Sequence, residues 1–168
     1  TKRLMTFSRK VSDDFQIEPV SVNKAIEDVV EIVRHDFQNN KVSISTQFAT
    51  SLPTIPGNAN YLQQVFLNLL INARDAMPEG GKVVVSTESK GFNVLIHIAD
   101  TGTGIPKEVL DKIFAPFFTT KEAGKGTGLG LSICSKIISQ HRGEIKVESI
   151  LDAGTTFSVS LPVRRTPE

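Results

Sequence analysis

The sequence predicts a two-layer α/β (α+β) sandwich, in which a mixed, mainly antiparallel sheet carries helices on one face. The first observation is alternation within strand-like segments: Val94, Ile96 and Ile98 fall on one side, and His97 falls on the other. The second is that the helical segments carry an apolar stripe and so have one face to bury. The third is a short Lys90-Gly91 connection between two strands, which favours antiparallel pairing. A sheet with one covered and one wet face fits this combination.

The first predicted helix rests on an apolar stripe at helical spacing, formed by Ala25, Ile26, Val29, Val33 and Phe37. Asn60 is expected to cap the second helix, with Gln63 reaching back to its start. Pro106 lies in the first turn of the third helix, and Gly143 is placed as the C-terminal cap of the fourth. The predicted helices are about Ser21–Asn39, Asn60–Met77, Ile105–Phe114 and Thr127–Gln140.

Five strands are predicted between turn signals. Pro78-Glu-Gly-Gly81 ends the second helix, and Asp152-Ala-Gly154 joins the last two strands. The strands are expected at Val42–Phe48, Lys82–Ser89, Phe92–Asp100, Glu144–Ile150 and Thr155–Pro162.

Composition bounds the function. The chain has 168 residues and a net charge of +1, which fits one domain and gives no electrostatic footprint for nucleic acid. Its one cysteine, Cys134, cannot form an internal disulfide, lies among apolar residues and fits a reducing, cytoplasmic compartment. No apolar run approaches the roughly 20 residues of a membrane span. The chain starts in mid-pattern without an initiator Met, so we expect a piece of a longer protein, whose membrane attachment stays open.

A polar stripe borders the apolar arc of the second helix and contains Gln64, Asn68, Asn72 and Asp75. Amides so close to the core boundary indicate a lined cavity. An Asn oxygen is a hard, neutral ligand suited to Mg²⁺ that also carries phosphate oxygens and water. The alternative is that both asparagines are ordinary surface residues of a helix.

Asp100 ends an apolar strand and shares its covered face. An ionised carboxylate only accepts hydrogen bonds, and the exocyclic amine of adenine offers a donor. Thr101-Gly102-Thr103-Gly104 would let the backbone pass close to a flat ring. The alternative is a β-turn with Asp at its first position. Thr155 shares the parity of Phe157, so its hydroxyl points into the same layer, either for ligand contact or for packing.

Four glycines alternate immediately before the last helix, at Gly124, Gly126, Gly128 and Gly130. Glycines allow unusual backbone angles, and the amides at a helix start attract anions. The segment is neither a Walker loop nor a G-x-G-x-x-G motif. Lys121 and Lys125 are candidates for phosphate contact, and a loop without a ligand is the alternative. Together with the amide pair and Asp100, this segment predicts ATP binding.

At these residues the chain resembles the catalytic and ATP-binding domain of bacterial sensor histidine kinases. That domain has the Bergerat ATP-binding fold, shared with DNA gyrase, heat-shock chaperones and mismatch-repair ATPases. Asn68-Leu-Leu-Ile-Asn72-Ala resembles the asparagine box, and Asp100-Thr-Gly-Thr-Gly104 resembles the first glycine box. Phe114-Ala-Pro-Phe-Phe118 resembles the phenylalanine box, and Gly126-Thr-Gly-Leu-Gly130 the second glycine box. The similarity runs from about residue 17 to 162.

The resemblance implies a role for each segment. Asn72 would coordinate Mg²⁺ with Asn68 assisting, and Lys121 would join them as a catalytic residue. Asp100 would read the adenine amine with support from Thr155, under an ATP lid at about residues 104–127. The remaining nucleotide-binding set is Asp75, Gly102, Gly104, Ile105, Phe118, Thr119, Thr120, Lys121, Lys125, Gly126, Thr127, Gly128, Leu129, Gly130 and Leu131.

Two positions refine the resemblance. In hydrolysing relatives a Glu lies one turn before the metal-binding Asn, and this chain has Asn68 there. Because an amide cannot act as a general base, attack by water should be slow. Many histidine kinases have a Lys where this chain has Asp75, and Asn72-Ala-Arg-Asp75-Ala-Met77 resembles the nitrogen-regulatory type of sensor kinase. A carboxylate cannot hold phosphate, so that task is expected to shift to a lysine of the lid or to Arg74.

No phosphoacceptor histidine is expected in this chain. His35-Asp-Phe-Gln-Asn39 mimics the acceptor pattern, but it leads straight into a strand. His97 faces the wet side of the sheet, and His141 sits at a helix end, where a cation is mildly favourable. We predict that residues 1–16 are a remnant of the dimerisation and phosphoacceptor domain with its linker, and that residues 17–168 are the catalytic ATP-binding domain.

The resemblance implies a two-component sensor histidine kinase that transfers the γ-phosphoryl group of Mg·ATP to a histidine on an adjoining dimerisation domain. Such a fragment should not phosphorylate itself. The implied partners are that acceptor domain, a second copy of the kinase through the missing helical domain, and a response-regulator receiver domain, with no nucleic acid. Two alternatives remain: a module that binds ATP without transfer, and an ATPase, which Asn68 disfavours.

Overall fold

A computed structural model describes residues 15–118 and 130–164 of the chain. These residues form four helices: α1 (Val22–Asn39), α2 (Ala59–Asp75), α3 (Lys107–Leu110) and α4 (Gly130–Gln140). They also form seven strands: β1 (Glu18–Val20), β2 (Val42–Gln47), β3 (Ile55–Gly57), β4 (Gly81–Lys90), β5 (Asn93–Asp100), β6 (Glu144–Ile150) and β7 (Gly154–Pro162). The predicted element types are confirmed, and most predicted boundaries lie within two residues of the observed ones.

The main sheet has the strand order β2-β4-β5-β7-β6. β2 pairs in parallel with β4, and the other neighbours pair antiparallel, which confirms a mixed, mainly antiparallel sheet. In the β5–β7 ladder, Asp100 stands opposite Thr155. The register therefore brings together two of the predicted site residues.

One face of this sheet is buried under helices. Its side chains alternate with partly exposed ones along each strand, and the buried set is Val83, Val85, Val94, Ile96, Ile98, Phe157, Val159 and Leu161. Burying each such side chain contributes about 1.5–3 kcal/mol. On the open face, His97 Nδ1 lies 2.8 Å from Ser158 Oγ. The two-layer arrangement with helices on one face is confirmed.

Helix α2 lies at the centre of the helical layer and packs against α1, α4 and β5. The predicted stripe of α1 is buried as expected, and Phe37 is fully inaccessible. Ser21 caps α1 by accepting a hydrogen bond from Lys24 N–H at 3.4 Å. The buried face of α2 comprises Leu62, Val65, Phe66, Leu69, Leu70 and Ala73. This packing fixes the adjacent, polar edge of α2 along the boundary of the core.

The predicted cap of α2 was wrong. Asn58, which has extended backbone angles, accepts from Tyr61 N–H at 3.2 Å, whereas Asn60 already lies inside the helix. Gln63 does not reach back to the helix start; its amide lies 3.5 Å from the Ala25 carbonyl of α1. The sequence has asparagines at positions 58 and 60, and either could cap a helix that starts nearby. Asn58 is the cap because it is the one that precedes the first helical residue, Ala59.

The predicted end of α4 was wrong in its detail. Arg142, not Gly143, adopts the left-handed conformation, with φ 59°. Gly143 N–H then donates to the Ile138 carbonyl at 2.9 Å, which completes a Schellman motif. Gly143 is needed for packing, because a Cβ atom there would lie 2.3 Å from the Ser160 carbonyl oxygen.

Two further differences concern short elements. Strands β1 and β3 pair antiparallel and were not predicted, because each has three residues and contains a proline. Helix α3 has a single turn, and Pro106 occupies its N-cap position instead of its first turn. The predicted start of α4 at Thr127 lies outside the described residues, as do residues 1–14 of the remnant predicted at residues 1–16.

Candidate functional site

Asp100 ends β5 at the margin of the covered layer, where it is partly buried. Its Oδ1 accepts from Gly102 N–H at 2.8 Å and from Thr155 N–H at 3.3 Å. Burial raises the pKa of this carboxyl above its ordinary 3.8, although the two backbone donors oppose that effect. Within residues 15–118 and 130–164, no hydrogen bond reaches Oδ2. The contact with Gly102 is an Asx turn made by the side chain, and not the predicted alternative of a backbone β-turn, because Thr103 N–H donates to the Ala76 carbonyl instead of to the Asp100 carbonyl. It leaves one acceptor oxygen available.

Thr155 is 3% exposed and belongs to a small hydroxyl network. Its Oγ1 lies 2.7 Å from Ser149 Oγ on β6, and Ser149 Oγ also accepts from Ile105 N–H at 2.7 Å. Ser149 is absent from the predicted site residues. The sequence could have indicated Ser149, because it lies on the same side of its strand as Ile145 and Val147, which face the covered layer, and is the one of the three with a hydroxyl group.

Gly102 and Gly104 are required by packing around Asp100. A Cβ at Gly102 would lie 2.6 Å from the carbonyl oxygen of Ala76, at the end of α2. Gly104 has φ 77°, and a Cβ there would lie 2.3 Å from the Ile150 carbonyl oxygen. The first glycine box is therefore wedged between α2 and the β6–β7 turn. Direct contact of these glycines with a nucleotide stays a prediction.

The polar edge of α2 carries the predicted metal-binding amides. Asn68 Oδ1 accepts from Gln64 Nε2 at 3.0 Å, and Asn68 Nδ2 donates to the Gly130 carbonyl at 3.4 Å. Asn68 thus links α2 to the start of α4. Asn72 is partly exposed, and its side chain forms no hydrogen bond with the rest of the described chain. Asn72 is therefore the freer of the two amides.

Arg74 and Asp75 are engaged with each other and with α1. Arg74 Nη1 donates to Asp36 Oδ2 at 2.7 Å, and Nη2 pairs with Asp75 Oδ1 at 3.0 Å. Partial burial works against the charge of Arg74, but its hydrogen bonds to both carboxylates outweigh that effect and raise its pKa. Two carboxylates already neutralise this guanidinium, so the geometry does not favour Arg74 as the phosphate ligand.

The phenylalanine box is anchored by one ring. Phe114 meets Phe157 of β7 edge to face, with ring centroids 6.3 Å apart. Phe118 packs partly buried against the core, whereas Phe117 is 74% exposed and has φ 65°. Gly130 and Leu131 open α4 and are partly buried. The remaining predicted nucleotide-binding residues lie outside the described residues: Thr119, Thr120, Lys121, Lys125, Gly126, Thr127, Gly128 and Leu129.

Cys134 is fully buried on α4, as predicted, with Sγ 3.8 Å from the Val65 carbonyl oxygen. Burial raises the pKa of its thiol to about 12, against which a contact with Asn68 acts weakly. A thiol that remains protonated and inaccessible is a poor nucleophile. Cys134 is therefore a packing residue between α2 and α4.

His141 is not the helix-end cation that its sequence position favoured. It is 3% exposed, and its Nε2 lies 3.0 Å from Asn58 N–H, a group that can only donate. Its Nδ1 lies 2.8 Å from the Ile137 carbonyl, which can only accept. These two partners fix a neutral imidazole protonated on Nδ1. The ring also packs edge-on against Phe15, with centroids 4.8 Å apart, and so holds the first described residue on the domain.

The side chains near Asn72 determine whether Mg²⁺ fits this site. The described residues contain no cluster of three or more His, Cys, Asp or Glu side chains able to hold a metal. An ion held by the Asn72 amide oxygen could take phosphate oxygens and water as further ligands. Mg²⁺ commonly binds in this way, and the free amide of Asn72 fits such a site.

The chain resembles known proteins over most of its length. A family profile described as histidine kinase-, DNA gyrase B-, and HSP90-like ATPase matches residues 57–165, which include the asparagine and glycine boxes. The chain belongs to this family. The predicted resemblance to histidine kinase catalytic domains is thereby confirmed, and the nitrogen-regulatory subtype stays a prediction.

Individual relatives agree with the family. Sporulation kinase C of Bacillus subtilis (strain 168) is 46% identical over 110 residues, which cover 66% of this chain and 25% of that protein. The crystallised catalytic domain of histidine kinase ThkA is 32% identical with a TM-score of 0.80, over 88% of this chain and 96% of that one. A complex of ThkA with the response regulator protein TrrA matches at 27% identity and a TM-score of 0.79, over 97% of this chain and 48% of ThkA.

The match is to one part of longer kinases. The chain spans between 18% and 32% of the length of several kinases that it resembles. Among the helices of the described residues, none combines the length and the apolar character needed to cross a membrane. The family profile and the solved structures together establish the family and the fold of this chain.

Proposed function

We propose that this chain is the catalytic part of a sensor histidine kinase and transfers the γ-phosphoryl group of ATP to a histidine on an adjoining helical domain. One observation carries the proposal. Asp100 is partly buried, both of its backbone donors reach the same oxygen, and the other oxygen is left as an acceptor. The amine of adenine supplies the donor that this oxygen lacks.

The asparagine edge of α2 would serve the triphosphate. Asn72 would hold Mg²⁺ with Asn68 beside it, and the ion would neutralise charge on the phosphate oxygens. Asn68 also keeps α4 in register with α2 through the Gly130 carbonyl. Because an amide does not take a proton from water, Asn68 favours transfer to a better acceptor over hydrolysis. Lys121 and Lys125 are proposed to contact the phosphates from the lid at about residues 104–127.

The partners follow from the same proposal. Residues 1–16 would be the end of the dimerisation and phosphoacceptor domain, through which two copies of the parent kinase would pair. A response-regulator receiver domain would be the final recipient, which the complex of ThkA with TrrA supports. The balanced charge of the chain supports the absence of a nucleic-acid partner, and the reaction would take place in the cytoplasm.

The test combines this chain with labelled ATP, Mg²⁺ and the acceptor domain of the same parent protein. The proposal expects label on the acceptor histidine and none on the isolated chain. ATP bound without any transfer would identify a sensing module, and free phosphate released by the chain alone would identify an ATPase.

A matched pair of variants tests the metal site. Asn72→Ala should abolish Mg²⁺-dependent ATP binding, since the free amide is lost. Asn93→Ala removes an exposed amide at the end of β5 that is distant from Asp100, and this variant should bind Mg·ATP as the unmodified chain does. Unchanged Mg·ATP affinity in Asn72→Ala would refute the assigned role.

A further inference from the structure

We infer that Ser149 is a positioning residue that fixes the direction of the Thr155 hydroxyl and thereby sets a preference for adenine over guanine. This inference rests on the proposed nucleotide-binding function. It starts from three contacts of Ser149 Oγ: Ile105 N–H at 2.7 Å, the Gly154 carbonyl at 3.1 Å and Thr155 Oγ1 at 2.7 Å. Ser149 touches Thr155 but is separate from the asparagine edge of α2.

The directions of these bonds follow from what each group can do. A hydroxyl has one proton and two lone pairs. The Ile105 amide can only donate, so it takes one lone pair of Ser149. The Gly154 carbonyl can only accept, so it takes the proton of Ser149. The second lone pair of Ser149 then receives the proton of Thr155.

Thr155 is left with lone pairs alone. Its proton is committed to Ser149, whose own proton is taken by the Gly154 carbonyl. Its neighbour across the ladder, Asp100, is an acceptor as long as it is ionised. Asp100 and Thr155 therefore present an acceptor-only edge to a bound base.

Such an edge discriminates between purines. Adenine carries an amine at the position where guanine carries a carbonyl oxygen. Guanine would therefore place that oxygen, an acceptor, against the two acceptors Asp100 and Thr155. Unpaired polar groups in a buried site strongly disfavour the wrong ligand. If Ser149 were removed, Thr155 could turn and donate its proton to guanine, while Asp100 would continue to reject it. The preference should then weaken without disappearing.

The experiment measures the affinity of the chain for ATP and for GTP by calorimetry with Mg²⁺. Ser149→Ala should lower the ATP-over-GTP preference about tenfold, roughly the effect of one hydrogen bond. Ser149→Thr keeps the hydroxyl and should retain the preference. Ser160→Ala removes a hydroxyl from the open face of the sheet and serves as the matched control.

A double variant separates positioning from general damage. In a Thr155→Val background the hydroxyl that Ser149 directs is absent, so adding Ser149→Ala should leave the ATP-to-GTP ratio unchanged. A Ser149→Ala variant with the original ratio, or one that lowers the ratio equally in both backgrounds, would overturn the inference while the proposed function stands. Failure of the unmodified chain to bind either nucleotide would instead refute the proposed function.

Discussion

Replacement of Asp100 by Asn is the sharpest test of base recognition. Asn keeps an oxygen that can accept from Gly102 N–H and Thr155 N–H, now 2.8 Å and 3.3 Å from Asp100 Oδ1. The second carboxylate oxygen becomes an NH₂ group of similar size. The substitution therefore preserves the turn and reverses the hydrogen-bonding character of the available position from acceptor to donor.

The magnitude follows from the bond that is lost. A hydrogen bond to a charged group contributes about 1.5–3 kcal/mol. At about 1.4 kcal/mol for each factor of ten, its loss weakens ATP binding by about 10- to 150-fold. An NH₂ group facing the adenine amine adds repulsion, so the larger value is a fair expectation. GTP offers that NH₂ group an acceptor and should lose less affinity than ATP.

The assay is calorimetric titration of both proteins with ATP and with GTP in the presence of Mg²⁺. Thermal unfolding without nucleotide serves as the control for folding. ATP affinity that is unchanged in a folded Asp100→Asn protein would refute the assignment of Asp100 to the adenine amine.

The same substitution has a pH-dependent effect on stability. The pKa of Asp100 is raised in the folded protein, so the folded state binds this proton more tightly than the unfolded chain does. The carboxyl group therefore favours folding below its ordinary pKa of 3.8, and this contribution is lost as pH rises through the raised pKa. Asp100→Asn does not titrate, so its stability relative to the unmodified chain should increase as pH rises from below 3.8 through the raised pKa. A difference that stays flat or falls would contradict this sign.

Three further predictions concern the scaffold. Phe66→Ala, at a fully buried site, should lower the free energy of unfolding by about 3–5 kcal/mol in urea titrations, whereas Phe92→Ala, at a 77% exposed site, should change it by about 0.5 kcal/mol at most. His141→Phe should cost about 1–3 kcal/mol, because Asn58 N–H loses its acceptor; equal urea midpoints would count against this. Cys134 should react with a thiol reagent only as fast as the protein unfolds, and rapid labelling in native buffer would show that it is accessible.

The parts of the fold that the sequence predicted share one property: each depends on a repeated local pattern. The alternation in β5 and β7 specified both the strands and the covered face, because a one-residue slip would expose every apolar side chain. The same parity placed Asp100 and Thr155 in one layer. The asparagine edge of α2 was predictable for a similar reason, since a period of 3.6 residues fixes what lies beside the apolar stripe.

The parts that were missed depend on contacts between distant residues. Arg74 pairs with Asp36 on α1, and His141 accepts from Asn58, which lies 83 positions earlier. Neither pairing leaves a periodic trace in the sequence. Ser149 is an intermediate case: its parity placed it on the covered face, but its contact with Thr155 depends on the antiparallel pairing of β6 with β7.

The geometry also separates the proposed base site at Asp100 from the proposed phosphate site on the asparagine edge of α2. Thr103 N–H donates to the Ala76 carbonyl at 3.0 Å, and the Thr103 carbonyl accepts from Asp152 N–H at 2.8 Å. These two backbone bonds tie the loop after Asp100 to the end of α2 and to the β6–β7 turn. A site fixed in this way is organised before the ligand arrives, which lowers the ordering cost of binding. Substitutions at Asp100 should therefore change base preference and affinity, whereas substitutions on the asparagine edge of α2 should change metal dependence.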